Sequence, residues 1–313
     1  MAEGQLILRD GISVQVFTAV SLNLKDGLFA EAMVLLEGLL ERDVSIPGAA
    51  SALKCAAYWR EREEGGREPT DSFERGEWFL AQWRLFTAFA EQLEDVPERC
   101  MFAIKRFVFS AALDSYLAAA GPDGGMDPDV LLRLGRCCKG VGNYERAIDC
   151  LEKANREKRD SASILAELAD CYSLVNETRA AKVFFREAFF LDPQAVDLAE
   201  MESPLITRLE ARVRGRGFEA PQLAEWIPVY GALWGVFSVK REMKPLELGK
   251  LKQSIFQLEK GVQREWRLLP RLLTRYLWLI DHYMMGGEPR QRIDEVLERI
   301  RELDPRVHAE YTT

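Results

Sequence analysis

Leu131-Leu-Arg-Leu-Gly-Arg-Cys-Cys-Lys-Gly-Val-Gly-Asn-Tyr-Glu-Arg-Ala147 and Leu165-Ala-Glu-Leu-Ala-Asp-Cys-Tyr-Ser-Leu-Val-Asn-Glu-Thr-Arg-Ala-Ala181 lie thirty-four residues apart and read as two copies of one pattern. Leu134-Gly135 stands beside Leu168-Ala169, Cys138 beside Tyr172, Ala147 beside Ala181, Leu151 beside Phe185 and Ala154 beside Ala188. The second copy closes on Leu191-Asp192-Pro193. A fixed period of this length marks a helical repeat, whose units bury their apolar faces only by stacking on neighbours. The small residues let two antiparallel helices approach, and the large ones interlock between neighbours.

The pattern resembles the tetratricopeptide repeat family, a 34-residue helix–turn–helix with fixed large and small positions. Leu131, Leu134, Gly135, Cys138, Ala147, Leu151, Ala154 and, off pattern, Arg159 fill those positions in the first unit. Leu165, Leu168, Ala169, Tyr172, Ala181, Phe185, Ala188 and Pro193 fill them in the second. Cys138, Arg159 and Ala169 depart from the family residue, but the spacing holds. The fold expected is all-α, a tetratricopeptide-like solenoid of helical repeats with degenerate hairpins on either side.

Two units do not close such an array, since roughly three or more are needed, so related hairpins are expected to flank them. Gly27-Leu-Phe-Ala-Glu-Ala32, continuing through Leu36 and Leu39, reads as a turn and second helix, and Gly76-Glu-Trp78 with Ala81, Leu85 and Ala88 reads the same way. Between them a helix is expected near 50–62, followed by a loop over 63–72. A long apolar helix is expected over 102–120, ending at Gly121-Pro-Asp-Gly-Gly125. Downstream, Glu202 and Pro204 break the register. Leu248, Leu251, Ile255, Leu258, Val262 and Trp266 then form one apolar stripe at steps of three and four. A last helix pair, about 272–285 and 289–303, again has repeat spacing at Ile293, Leu297, Ile300 and Pro305. The organisation expected is a degenerate region over 1–121, two well-matched units over 127–194, and a C-terminal helical region over 203–313.

Composition narrows the chemistry. Hydrophobic content of 48% with 16 Phe and 7 Trp supplies a core, so global disorder is excluded. Only His282 and His308 occur in 313 residues, which argues against His-based triads and His-rich metal sites. The six cysteines, at 55, 100, 137, 138, 150 and 171, include no Cys-x-x-Cys, and free thiols in a reducing compartment are the expected state. No phosphate-binding loop, dinucleotide turn, nucleophile elbow or zinc-protease helix appears. Asp127 and Asp129 flank Pro128 where a helix should start, and capping is their expected role. No enzyme activity, metal or cofactor is expected. The N-terminal stretch lacks the basic start of a secretory signal, and the uncharged window 226–239 is too short for a spanning helix. A soluble cytoplasmic protein is the expectation.

The resemblance implies a binding surface for protein or peptide partners on the first helix of each unit. The positions between the packing residues are Asp129, Leu132, Arg136, Lys139 and Gly140, then Ser163, Ala166, Asp170, Ser173 and Leu174. Arg136, Lys139 and Asp170 are the expected anchors, with Asp129, Leu132 and Ser173 beside them. Family members that clamp a chaperone's C-terminal carboxylate place Lys and Asn on this face. Leu132, Arg136, Ala166 and Asp170 do not reproduce that set, so such a tail is not an expected ligand.

Charge supplies a second lead. Residues 205–275 carry 14 basic and seven acidic side chains, a net +7 against −15 for the rest of the chain. Arg212, Arg214 and Arg216 form its basic loop. Such a lobe suits a polyanion, an anionic membrane surface, or acidic helices of this or another copy. Nucleic acid is not the expected partner, because aromatic residues are not interleaved with the basic ones. Trp226-Ile-Pro-Val-Tyr-Gly-Ala-Leu-Trp-Gly-Val-Phe-Ser-Val239, closed by Lys240-Arg241, is expected to pack against the end of the array. Trp226, Tyr230 and Trp234 are the anchors if it forms an interface instead, with a partner or a membrane. The reading is a non-enzymatic scaffold that joins proteins into an assembly without a small-molecule substrate. The alternative is a membrane- or polyanion-associated module using the basic lobe. Partner identity and self-association stay open.

Overall fold

The computed structural model describes residues 2–66, 68–120, 127–238 and 243–313, with side chains from residue 13 onward. The turn expected at Gly121–Gly125 and the basic pair Lys240-Arg241 lie outside the described residues. Among those residues there are fifteen α-helices and no strand: α1 Ala2–Lys25, α2 Phe29–Arg42, α3 Ala49–Glu64, α4 Ser72–Ala90, α5 Glu98–Ala120, α6 Pro128–Gly140, α7 Tyr144–Glu157, α8 Ala162–Leu174, α9 Thr178–Leu191, α10 Pro204–Arg214, α11 Gln222–Leu233, α12 Pro245–Val262, α13 Leu269–Met285, α14 Arg290–Leu303 and α15 Pro305–Thr312. The chain is an all-α helical-repeat fold. Residues 1–150 and 151–313 form two compact units, and the division falls inside α7.

One turn recurs through the chain and explains why its hairpins form. After α6, the Asn143 amide donates to the Cys138 carbonyl at 2.8 Å, with Gly142 between them at φ +84°. After α8, thirty-four residues on, the Glu177 amide donates to the Tyr172 carbonyl at 2.8 Å, with Asn176 at φ +66°. After α1 the bond runs from the Leu28 amide to the Asn23 carbonyl at 2.8 Å around Gly27 at φ +76°. After α13 it runs from the Glu288 amide to the Tyr283 carbonyl at 3.0 Å around Gly287 at φ +64°. This six-to-one bond satisfies a carbonyl that the helix end leaves open, and its left-handed residue is one that Gly, or less readily Asn, supplies. The helix after each turn is 14 residues long: α2, α7, α9 and α14. Three of them end alike, with Asp43, Asp192 or Asp304 in extended conformation at the C-cap. The degenerate flanking hairpins at Gly27 and Gly287 are therefore built as the central ones are.

In the first unit α1 packs on α2 and α5, α2 on α3, α4 on α5 and α5 on α6. Its core centres on the rings of Phe29, Trp59 and Phe86, with Trp59 5.6 Å from Phe86 and 6.3 Å from Phe29. Fully burying each large apolar side chain contributes about 1.5–3 kcal/mol. The Gly76 reading needs correction. Gly76 lies within α4, which starts after the N-cap Asp71, and a Cβ there would sit 2.7 Å from the Tyr116 ring. It marks a close helix approach rather than a turn, so Phe79, Phe86 and Ala90 face the core while Ala81, Leu85 and Ala88 are exposed.

In the second unit one core cluster gathers Phe185, Phe189, Ile206, Ile227 and Phe237, and runs from α8 to the turn after α11. Another gathers Leu251, Ile255, Leu272, Trp278 and Ile300 from α12 to α14. The stripe on α12 holds through Val262, but Trp266 has left the helix for a short 3-10 turn and is exposed. All six cysteines are free thiols.

Candidate functional site

The first helix of each central repeat carries the expected binding face. Pro128 occupies the first turn of α6, and Asp127 caps it by accepting from the Asp129 amide at 2.7 Å. Thirteen of the sixteen repeat positions are buried leucine, alanine, glycine, cysteine or phenylalanine, and Pro193 is buried too. Arg159 is exposed and Tyr172 half-buried.

The positions between them are covered to different degrees. Asp129 is exposed, and Arg136 and Ser173 are half-buried. The outward placement expected of Leu132, Lys139 and Asp170 is not what the chain adopts, because all three are buried. Gly140 shows what covers α6: its Cα meets the ring of Phe109 on α5, with no room for a Cβ between them. Asp170 shows what covers α8. Its carboxylate accepts from the backbone amides of Glu202 at 2.9 Å and Ser203 at 2.8 Å, fixing the strand of chain that enters α10. Acidic groups suit that place because a helix start presents open N–H groups and a positive partial charge. The first-helix faces are thus met by the chain's own following or preceding helices.

The aromatic window forms α11 and the turn after it, with Pro228 inside the helix. Tyr230 is buried, while Trp226 and Trp234 are half-buried. Trp226 stacks on Phe218 at 4.6 Å and 19°, and Tyr230 lies 4.9 Å from Trp234. Gly231 has no room for a Cβ beside the Phe237 ring, so α11 and the turn after it approach closely within the unit. Arg212 and Arg214 lie in the last turn of α10 rather than in a loop, with Arg216 in the turn after it, and this end folds onto the window. Arg212 lies 3.9 Å over the Trp234 ring, and Arg216 pairs with Glu310 at 2.7 Å. Glu310 also accepts from Trp234 Nε1 at 2.8 Å, while Arg214 pairs with Glu210 at 2.7 Å. Further along the basic span, Arg271 bridges Glu225 at 2.7 Å and Asp192 at 2.9 Å. Arg275 is buried beneath it, over the Phe190 ring at 3.9 Å. Glu310 and Asp192, which lie outside residues 205–275, thereby offset two of that span's seven excess positive charges within the unit.

Sequence reasoning missed Glu310 and Asp192 as partners of this basic span. They lie 94 and 79 residues from the arginines they meet, and no local spacing signals them.

Residues 128–161 match the family model described as tetratricopeptide repeat. The match covers α6 and α7, and the same turn bond and second-helix length recur in the hairpin that follows. No curated protein matches the chain. A tetratricopeptide repeat supports a role in protein–protein interaction. Among the described residues no helix is long and apolar enough to cross a membrane, and no group of three or more His, Cys, Asp or Glu is placed to hold a metal ion.

Proposed function

We propose that this protein is a non-enzymatic scaffold that brings other proteins together in a multiprotein assembly. The observation that carries the reading is the repeated hairpin turn, four times in one geometry, with the matched tetratricopeptide repeat at its centre. Preformed helical hairpins present a surface that needs little reordering on binding, so modest contacts yield useful affinity. The accessible members of the first-helix faces are Asp129 and Arg136 on α6 in the first unit, and Ser163, Ser173 and Leu174 on α8 in the second. Each face by itself offers a polar rim against which a helix or extended peptide would lie. Trp226, Tyr230 and Trp234 serve the fold in this reading, because their rings and polar atoms meet Phe218, Arg212 and Glu310. The pairing of Arg214, Arg216 and Arg271 with carboxylates supports proteins over polyanions as partners.

The surface is tested by tagging the wild-type chain and an Arg136→Glu/Ser173→Arg variant and comparing what each recovers from cells. Loss of defined partners from a variant that melts normally is the expected result. An unchanged set of partners would remove the first-helix face from the account.

A further inference from the structure

A cavity of about 190 Å³ opens in the second unit between α9, α12 and α13. An engineered cavity of about 150 Å³ holds one benzene, so this space takes one large side chain. Its wall is aromatic: the Phe190 and Trp278 rings stack at 5.5 Å and 15°. Guanidinium groups already lie against both rings, Arg275 at 3.9 Å from the Phe190 ring and 5.3 Å from the Trp278 ring, and Arg186 at 4.5 Å from the Trp278 ring. Val183, Leu191 and Leu251 supply the aliphatic lining.

The charge around this space is unbalanced. Asp160, Glu187, Glu247 and Asp281 line it against Arg186 and Lys250, and with Arg275 against the Phe190 ring the formal excess is one negative charge. Two helix C-termini also contribute, because Glu187, Phe190 and Leu191 lie in the last turns of α9 and Asp281 and His282 near the end of α13. Each such end carries roughly half a negative charge. The opposing N-terminus of α12 is answered by its own cap, Glu247 accepting from the Lys244 amide at 2.9 Å. Asp281 is the weakly compensated member. Its ion pair to Arg186 is 3.5 Å long, whereas a charge-assisted bond usually closes to about 2.7–2.9 Å. Burial outweighs Arg186 and holds this carboxyl above the usual range. Buried polar atoms of two lining residues, Trp278 Nε1 and His282 Nδ1, have no hydrogen-bond partner.

From the cavity, its aromatic wall and its negative rim we infer a docking site for a basic side chain, an arginine or lysine, presented by a segment of a partner protein. The alkyl stem lies along Leu251, Val183 and the edge of the ring stack, and the cationic head reaches Asp281. Exposed Asp160 and Glu187 at the rim receive a neighbouring basic residue of the same segment. The inference rests on the protein-binding reading above and adds a separate site with its own partner chemistry.

The test is fluorescence polarisation with a labelled peptide, Ala-Leu-Arg-Lys-Leu-Ala, on the whole chain. The same peptide with Glu for Arg and Lys, and unlabelled spermidine as competitor, are run beside it. The basic peptide should bind at least about tenfold tighter than the acidic one. Asp281→Asn, which keeps the shape and removes the charge, should weaken it about tenfold. Val183→Trp, which fills the space, should abolish binding, and Glu91→Gln, exposed in the other unit, should leave it unchanged. A variant that fails to fold is replaced by Glu187→Lys and by following the Trp278 indole resonance of the wild type during titration, which should shift. Equal binding by wild type, Asp281→Asn and Val183→Trp, or a stationary Trp278 resonance, would overturn the site. Spermidine competing as well as the peptide would assign the cavity to a small polyamine and overturn the protein partner. Failure here with partners still recovered through Arg136 and Ser173 would sink this site alone and leave the scaffold reading standing.

Discussion

Removing the Asp170 carboxylate should unfold the second unit early. Asp170 is fully buried and accepts from two backbone amides at 2.9 and 2.8 Å, at Glu202 and Ser203. Hydrogen bonds to a charged group contribute about 1.5–3 kcal/mol each, and a buried donor left open costs about 1–3 kcal/mol. Ser203 is buried and Glu202 half-buried, so the Ser203 amide carries most of the penalty. Asp170→Ala should therefore cost about 3–4 kcal/mol. A unit of this size shifts by about 2–4 °C per kcal/mol, which places the expected drop in melting temperature at roughly 6–16 °C. Asp170→Asn keeps one acceptor oxygen and should lose about half as much. Asp129→Ala, exposed on α6 of the first unit, should stay within about 0.5 kcal/mol of wild type. Thermal melts followed by circular dichroism, with urea titration of the same variants, measure this directly. If Asp170→Ala melted within about 2 °C of wild type yet lost a bound partner, the carboxylate would belong to a binding surface, and the capping argument would be wrong.

Three further expectations follow from the packing. Gly140→Ala should destabilise by about 1–3 kcal/mol because its Cβ overlaps the Phe109 ring, whereas Gly38→Ala, in α2 with nothing near its Cβ, should stabilise by about 0.5–1 kcal/mol; equal signs in chemical denaturation would contradict the helix contacts. Burial pushes Glu77 up, but bonds donated by Arg133 and Tyr116 more than offset it and leave its carboxyl below the usual range. A folded-state value below the unfolded one gives stability present above the unfolded pKa and lost as pH falls through the folded one, so wild type should lose more stability than Glu77→Gln on acidification below about pH 4.5; parallel melting curves would remove the argument. Trp234→Ala, which releases Arg212 and Glu310, should lower stability by about 2 kcal/mol without changing which partners are recovered, and a normal melt with a lost partner would return the window to the surface.

The repeat was legible because its determinants are local. A left-handed residue, a bond spanning five positions and a 14-residue helix are all set within one stretch of chain, so the turn read at Gly27 is where the structure has one. Gly76 misled for a related reason: a small residue also permits a close helix approach, and sequence spacing does not distinguish the Tyr116 ring from a turn. The first-helix face was harder still. Whether Leu132, Lys139 and Asp170 meet solvent depends on what packs over them, and the partners that cover it, Phe109 and the start of α10, are set by tertiary packing. The charge count over 205–275 was correct as arithmetic, but Glu310 and Asp192 lie outside the counted span and neutralise part of it in space.

Affinity co-purification of the tagged chain from its own cells, at low and at high salt, tests the scaffold reading most directly. Apolar and matched polar contacts weaken little with ionic strength, whereas polyanion binding falls steeply. The account predicts the same defined proteins at both salts. Nucleic acid or anionic lipid recovered at low salt alone, with no protein at either, would contradict it.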